Sequence, residues 1–279
     1  MCRKNNNITT AHNNSMKKYM CLITMLCTFV FGVLLPSPIS YAKAEERPQE
    51  SSRPKLAIVI DDFGEDRAGV EKMLSLDIMF TGAVMPSMEF SVEDAERLHK
   101  NGKEVMLHMP MEAYGNLPLS WYGPVMIKNT YSKAEARNVL TSAIQSVPHV
   151  KSVNIHMGTA VCQNRELAEE ILCVTKERNL PFLDSKTIEG SVFPQIAVEK
   201  QAKFLERDNF LEVSGQKNYE FTKQRLQEGI TLAKTKGFAV VIGHVGPVGG
   251  ETTAQVLQDM QQELKNSGVE LVGFSQLFI

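Results

Sequence analysis

"KLAIVIDDFG", residues 55–64, decides the fold. Five apolar residues, Leu56 to Ile60, run without alternation into Asp61 and Asp62, and Phe63 and Gly64 follow. A short continuous apolar run is characteristic of a parallel strand covered by helices on both faces. This one ends in two adjacent carboxylates, whose repulsion raises a pKa. A cation at the strand end would offset that cost.

Further runs of the same kind recur along the chain. The pattern predicts strands at Leu56–Ile60, Phe80–Val84, Glu104–Leu107, Ser152–Ile155, Pro181–Leu183, Asn209–Leu211, Phe238–Ile242 and Glu270–Val272. Amphipathic segments separate most of them. Ser132 and Glu135 form a capping box, and Asn164 suits the cap of "RELAEEILCVTKER". Pro194 suits a first helical turn, and Gly237 stops a helix over Lys223–Lys236. Alternating strands and helices imply α/β architecture, as a barrel or an open doubly wound sheet. The long connection 109–131 contains Pro110, Gly115, Pro118, Gly123 and Pro124, and loops of that length are often functional.

The chain has 279 residues, 43% of them hydrophobic, enough for one domain with a full core. Lys17 and Lys18, an apolar run from Met20 to Leu35 and the small residues of "AKA" at 42–44 predict a secretory signal over 1–44. An uncleaved anchor is the alternative, and Met16 is a second candidate start. Residues 45–53 read as a polar linker, and 54–279 as the folded domain, placed in the periplasm or secreted. Without residues 1–44 the chain carries 25 basic and 32 acidic residues, a net charge of −7. That balance argues against a nucleic-acid partner, and no stable membrane span is expected after processing. Cys162 and Cys173 alone lie outside the leader, so no disulfide framework is expected.

Ligands of parallel α/β folds bind at the carboxyl ends of strands. Those ends carry Asp61 and Asp62, His108, His156, Asp184 and His244. Three of the six histidines lie there, whereas His12, His99 and His149 read as solvated. Carboxylate and imidazole together suit a divalent ion, with zinc favoured. One aspartate of the pair would bind the ion. The other would take a proton from the water that the ion acidifies. The plainer reading makes Asp61 a helix cap and Asp62 half of an ion pair.

Taken together and in order, "IDDFG", "LHMPME", "NIHMGT", "LDSKT", "RDNFLE" and "IGH" resemble the polysaccharide deacetylase superfamily. More closely, they resemble its divergent branch, over roughly residues 54–279. The resemblance implies an irregular (β/α) barrel of about seven parallel strands, a divalent metal and hydrolysis of acetyl groups on sugars. It implies Asp61 as base, Asp62 as metal ligand and His244 as the acid that protonates the leaving group. Asp184 stands where the family has an acid that tunes a catalytic partner. His108 matches the first motif histidine, but Glu112 replaces the second, so the second imidazole is assigned to His156. Glu112 is left as an extra ligand or a loop anchor, and Asn154 as a polar contact for substrate. Trp121, Tyr114 and Tyr122 offer stacking faces for a sugar or ordinary loop packing. Two departures stand out: Phe63 separates the aspartates from Gly64, and Ile155 replaces an asparagine usual in the branch.

Three functions follow: a deacetylase of an envelope or peptidoglycan-type glycan, a catalytically weak metal- and glycan-binding protein, or another metal amidohydrolase. No protein partner is legible. The leader reading makes one prediction: N-terminal sequencing of the native protein finds a start near Glu45. A start at Met1 or Met16 refutes cleavage.

Overall fold

Alternate residues of the first strand, β1 (Lys55–Phe63), serve two different cores. Leu56, Ile58 and Ile60 pack outward into the layer between sheet and helices. Ala57 and Val59 pack inward into a second, smaller core. This division comes from the two-residue period of a strand, and it repeats around the sheet. The chain is described by a computed structural model covering residues 53–213 and 215–279. The leader and most of the linker predicted above lie outside the described residues.

The other strands are β2 (Thr81–Val84), β3 (Glu104–Met111), β4 (Val150–Met157), β5 (Phe182–Asp184), β6 (Phe204–Glu206), β7 (Asn209–Phe210), β8 (Phe238–His244) and β9 (Glu270–Val272). Their order is β6-β5-β4-β3-β2-β1-β8-β7, with β9 beside the start of β1, and every ladder is parallel. The two outermost strands, β6 and β7, are separated by two residues, Arg207 and Asp208. The sheet therefore curls round until its edges nearly meet, giving an incomplete parallel barrel. Arg207 spans the seam. Its Nε donates to the Ser185 carbonyl at 2.8 Å and its guanidinium lies 3.6 Å from the centre of the Phe210 ring.

The helical signals act where the sequence places them. Ser132 and Glu135 close a capping box on the helix Lys133–Ser146. Asn164 accepts from two backbone N–H groups at the start of Arg165–Glu177. The helix ending at Lys236 begins at Tyr219 rather than Lys223, because Asn218 caps it four residues earlier. β6 escapes the sequence reading, since two half-buried residues and an exposed glutamate give no apolar run. Cys162 and Cys173 are both buried, and no disulfide joins them. His99 and His149 stack at 3.8 Å, away from the strand ends that carry the other histidines. Among the described residues, no helix is long and apolar enough to cross a membrane.

The inner core is sealed at the amino ends of the strands by the final turn, Phe274–Phe278. The Phe274 backbone N–H donates to Thr81 Oγ1 at 2.9 Å, and Ser275 donates from backbone and hydroxyl to Glu104. Phe274 itself is fully buried in the inner cluster. This apolar plug leaves the carboxyl ends as the polar mouth. Phe274→Ala should cost about 3–5 kcal/mol. A denaturation midpoint that does not fall in this variant would show that the plug does not support the barrel.

Candidate metal centre

Inward parity brings the polar residues together. On β1, Asp61 continues the face of Ala57 and Val59. On β3, His108 follows Met106 on the inner face, and on β8, His244 follows Val240 and Ile242. On β4, Ser152, Asn154 and His156 alternate with Val153 and Ile155, which pack outward. The register pairs Asp61 with His244 and His108 with Asn154. The Ile155 departure therefore falls on the helix side and leaves the inner set intact.

Asp62 is the exception to alternation. Its φ is 70°, in the left-handed region disfavoured for a residue with Cβ, and the β1–β2 register shifts between Ile60 and Phe63. This turn brings the Asp62 carboxylate to the same mouth as Asp61, where a regular strand would send it to the opposite face. Strain of this kind costs on the order of 1–3 kcal/mol and gathers at functional sites. Phe63 then enters the outer core. The Gly64 N–H, at φ 117°, donates to buried Asp94 at 3.0 Å, which anchors the turn.

Three atoms converge there. His108 Nε2 lies 3.2 Å and His156 Nδ1 3.3 Å from Asp62 Oδ1, and the two nitrogens are 3.0 Å apart. Their neighbours fix the protons. Asn154 Nδ2 donates to Asp61 Oδ1 at 2.8 Å, so its Oδ1 accepts from His108 Nδ1–H, also at 2.8 Å. His156 Nε2–H donates to the Trp121 carbonyl at 2.9 Å. In the neutral rings, both facing nitrogens then carry lone pairs. Two lone pairs and a carboxylate oxygen at hydrogen-bond distance require a positive charge between them.

A divalent ion fits this arrangement. Bonds of 2.0–2.1 Å to a tetrahedral zinc place donors about 3.3–3.4 Å apart. The electrostatics agree. Burial alone would raise the Asp62 pKa, but the facing His108 and His156 rings hold it well below the usual range. Burial opposes charge on His108, yet Asp61 and Asp62 push its pKa up.

Two further groups face the same small cavity, of about 150 Å³. Asp61 is buried, and desolvation raises its pKa against the pull of His108 and His244. His244 works against burial as well, but Glu212 and the two aspartates raise it to about 9. Glu212 is 2% exposed and accepts from the His244 backbone N–H at 3.1 Å. Its other oxygen lies 3.3 Å from His244 Nδ1, while Thr253 Oγ1 donates to the first. The sequence reading quoted "RDNFLE" but gave Glu212 no role. It directly follows a predicted strand, and the strand-end rule applied to the other acids would have found it.

Three sequence assignments change. Asp184 does not tune a site histidine: it lies on the outer parity of β5 with Phe182 and accepts from Lys186 N and Ser191 Oγ. It holds the loop whose Ser185 and Thr187 line the small cavity. Glu112 neither binds the ion nor meets the cavity. Its carboxylate accepts from Asn129 N at 2.6 Å and its carbonyl from Ala160 N, so it bolts the long loop in place. Asn154 is fully buried, which makes it a positioning group and excludes direct contact with substrate. Trp121 is 56% exposed at the mouth, whereas Tyr122 is buried with its hydroxyl on Ala113 N.

A family model described as divergent polysaccharide deacetylase matches residues 58–278. The uncharacterized protein YibQ of Escherichia coli K12 is 32% identical over 214 residues, which cover 75% of this chain and 63% of YibQ. The match thus spans less than two thirds of that relative. An uncharacterized protein of Haemophilus influenzae is 27% identical over 249 residues, covering 89% of this chain and 82% of the relative. The crystal structure of the uncharacterized protein ATU2773 from Agrobacterium tumefaciens C58 superposes with a TM-score of 0.72 at 19% identity. That superposition covers 81% of this chain and 89% of the other, and at such low identity it speaks for the fold alone. With a family model matched along nearly the whole described domain, the chain belongs to the divergent polysaccharide deacetylase family.

Proposed function

We propose that the protein is an exported, metal-dependent hydrolase that removes acetyl groups from an envelope polysaccharide. The observation that carries this reading is the set of three lone pairs on Asp62, His108 and His156, flanked by one base and one acid. The basic-apolar leader pattern supports export and a cell-envelope glycan. A divalent ion, with zinc favoured by two imidazoles and a carboxylate, would polarise the acetyl carbonyl and acidify the attacking water.

The protein's own groups supply the proton transfers. Asn154 engages Asp61 Oδ1, which leaves Oδ2 to take the proton of the attacking water. Burial makes Asp61 a stronger base than a solvated aspartate. Glu212 engages His244 Nδ1, which leaves Nε2–H for the departing amine or alcohol. With its pKa near 9, His244 holds that proton through the neutral range. Ser185 and Thr187 offer hydroxyls in the small cavity that would receive the acetyl group.

Metal analysis tests the ligands. His156→Ala, His108→Ala or Asp62→Ala should weaken ion binding by more than the ~10–100-fold typical of outer-shell partners. Glu112→Ala should retain the ion, because its carboxylate anchors the loop. Unchanged metal content in His156→Ala would remove that histidine from the centre.

Acetate release tests the proton transfers. Asp61→Asn should keep the ion and lose roughly 10²-fold or more in turnover. His244→Ala should harm amides more than aryl esters, whose leaving groups need no proton. The protonated form of His244 is the active one, so turnover on amides should be lost as pH rises through about 9. Glu212→Gln should shift that limb downward, towards the ordinary histidine value of about 6.5. Equal losses of amide and ester turnover in His244→Ala would exclude it as the acid.

A further inference from the structure

A second and larger cavity, of about 610 Å³, opens on the outer side of Asp62 and His156. Met85, Trp121, Met157 and Val248 give it an apolar wall, while Glu65 and Asp66 stand on its rim. Among the described residues, no lysine or arginine lines it. Of the cations nearby, Arg67 is paired with Asp94, whereas Lys217 donates to the Pro247 carbonyl and keeps its charge, one positive charge against the two carboxylates of the rim. Asp66 Oδ1 accepts from the Ala68 N–H, a neutral donor that leaves its charge in place. The Glu65 carboxylate has no hydrogen-bond or ion-pair partner among the described residues. An ion on Asp62 would neutralise that carboxylate, but Glu65 and Asp66 would keep the rim negative.

Such a groove complements a ligand with one apolar face and a positive charge. A sugar ring offers the first, since its C–H face packs on an indole such as Trp121. An amino sugar also offers the second. We propose that the groove binds an amine-bearing sugar unit, so that the protein favours a partly N-deacetylated, cationic glycan over neutral or anionic ones. The proposal rests on the deacetylase reading and deepens it. Hydrolysis consumes water, breaks the N–C(acyl) bond, and gives acetate and an amine that takes up a proton at neutral pH. Each turnover on a polymer therefore makes the charge that the rim attracts, and the neighbouring acetylated unit becomes the preferred next substrate.

The test uses the purified full chain and three N-acetylated oligosaccharides of equal length. One is fully acetylated and neutral, one is partly deacetylated, and one carries uronic acid units. Dissociation constants are measured by calorimetry at low and physiological salt. The cationic ligand should bind about 5–10-fold more tightly than the neutral one, on the scale of two exposed ion pairs. The gap should narrow as salt rises. Glu65→Gln should reduce the preference, and Glu65→Lys should turn it towards the uronic acid ligand. Equal binding of the cationic and neutral ligands, failure to bind any of the three, or a preference indifferent to Glu65→Lys would overturn the proposal. Acetate release from the same samples separates the two readings. Release without a charge preference removes the groove assignment alone. A charge preference without release keeps the groove and removes the deacetylase.

Discussion

Two imidazole nitrogens and one carboxylate oxygen converge on one point where only a positive charge reconciles them, and the architecture of the mouth follows from that constraint. Each ring is fixed from behind. Asn154 reads the far side of His108, and a backbone carbonyl reads the far side of His156. These outer bonds choose the tautomer, and the tautomer decides which atoms face inward. Asn154 does this twice over. Its amide has one orientation that satisfies both His108 and Asp61, so the ligand and the neighbouring carboxylate are set by a single buried side chain. Leaving either bond unmade in the fully buried interior would cost more than an ordinary surface hydrogen bond.

The barrel supplies the convergence cheaply. Inward parity along β1, β3 and β8 passes from apolar core residues to polar ones at the mouth, and along β4 it is polar from Ser152 to His156. The same side-chain direction that fills the core with Val59, Met106 and Ile242 delivers Asp61, His108 and His244 two positions later. Only Asp62 needs a device of its own, the left-handed turn held by Gly64 and Asp94. The adjacent aspartates thus meet one cavity because the strand breaks its own period between them.

Much of this was legible in the chain. The strand-end rule singled out Asp61, Asp62, His108, His156 and His244, which the fold brings to one cavity, because an acid or imidazole closing an apolar run is a strong local signal. The capping residues Ser132, Asn164 and Gly237 act as read, since their chemistry is local. What failed was parity and depth. Asp184 ends a strand of three residues, too short for its sequence to show which face it presents. Asn154 looks like a polar contact until the fold buries it completely. That both aspartates reach one mouth was not legible, because a positive φ in a residue other than glycine leaves no mark in the sequence. β6 was invisible because its pairing with β5 is decided by the curl of the sheet, not by its own three residues.

The replacement of a motif histidine by Glu112 also finds its reason in register. His108 pairs with Asn154, and Pro110 pairs with His156. His156 therefore stands on the adjacent strand, two residues further towards the mouth, on the same inward face. From there its Nδ1 reaches the edge of Asp62 that a loop imidazole four positions after His108 would otherwise have to supply. Position 112 has a mechanical task instead, fastening the long loop through Asn129 and Ala160. That loop in turn presents the Trp121 carbonyl to His156. The exchange thus places the second imidazole on the rigid sheet and leaves the loop to orient it, so Glu112 acts on the mouth through two steps of hydrogen bonding.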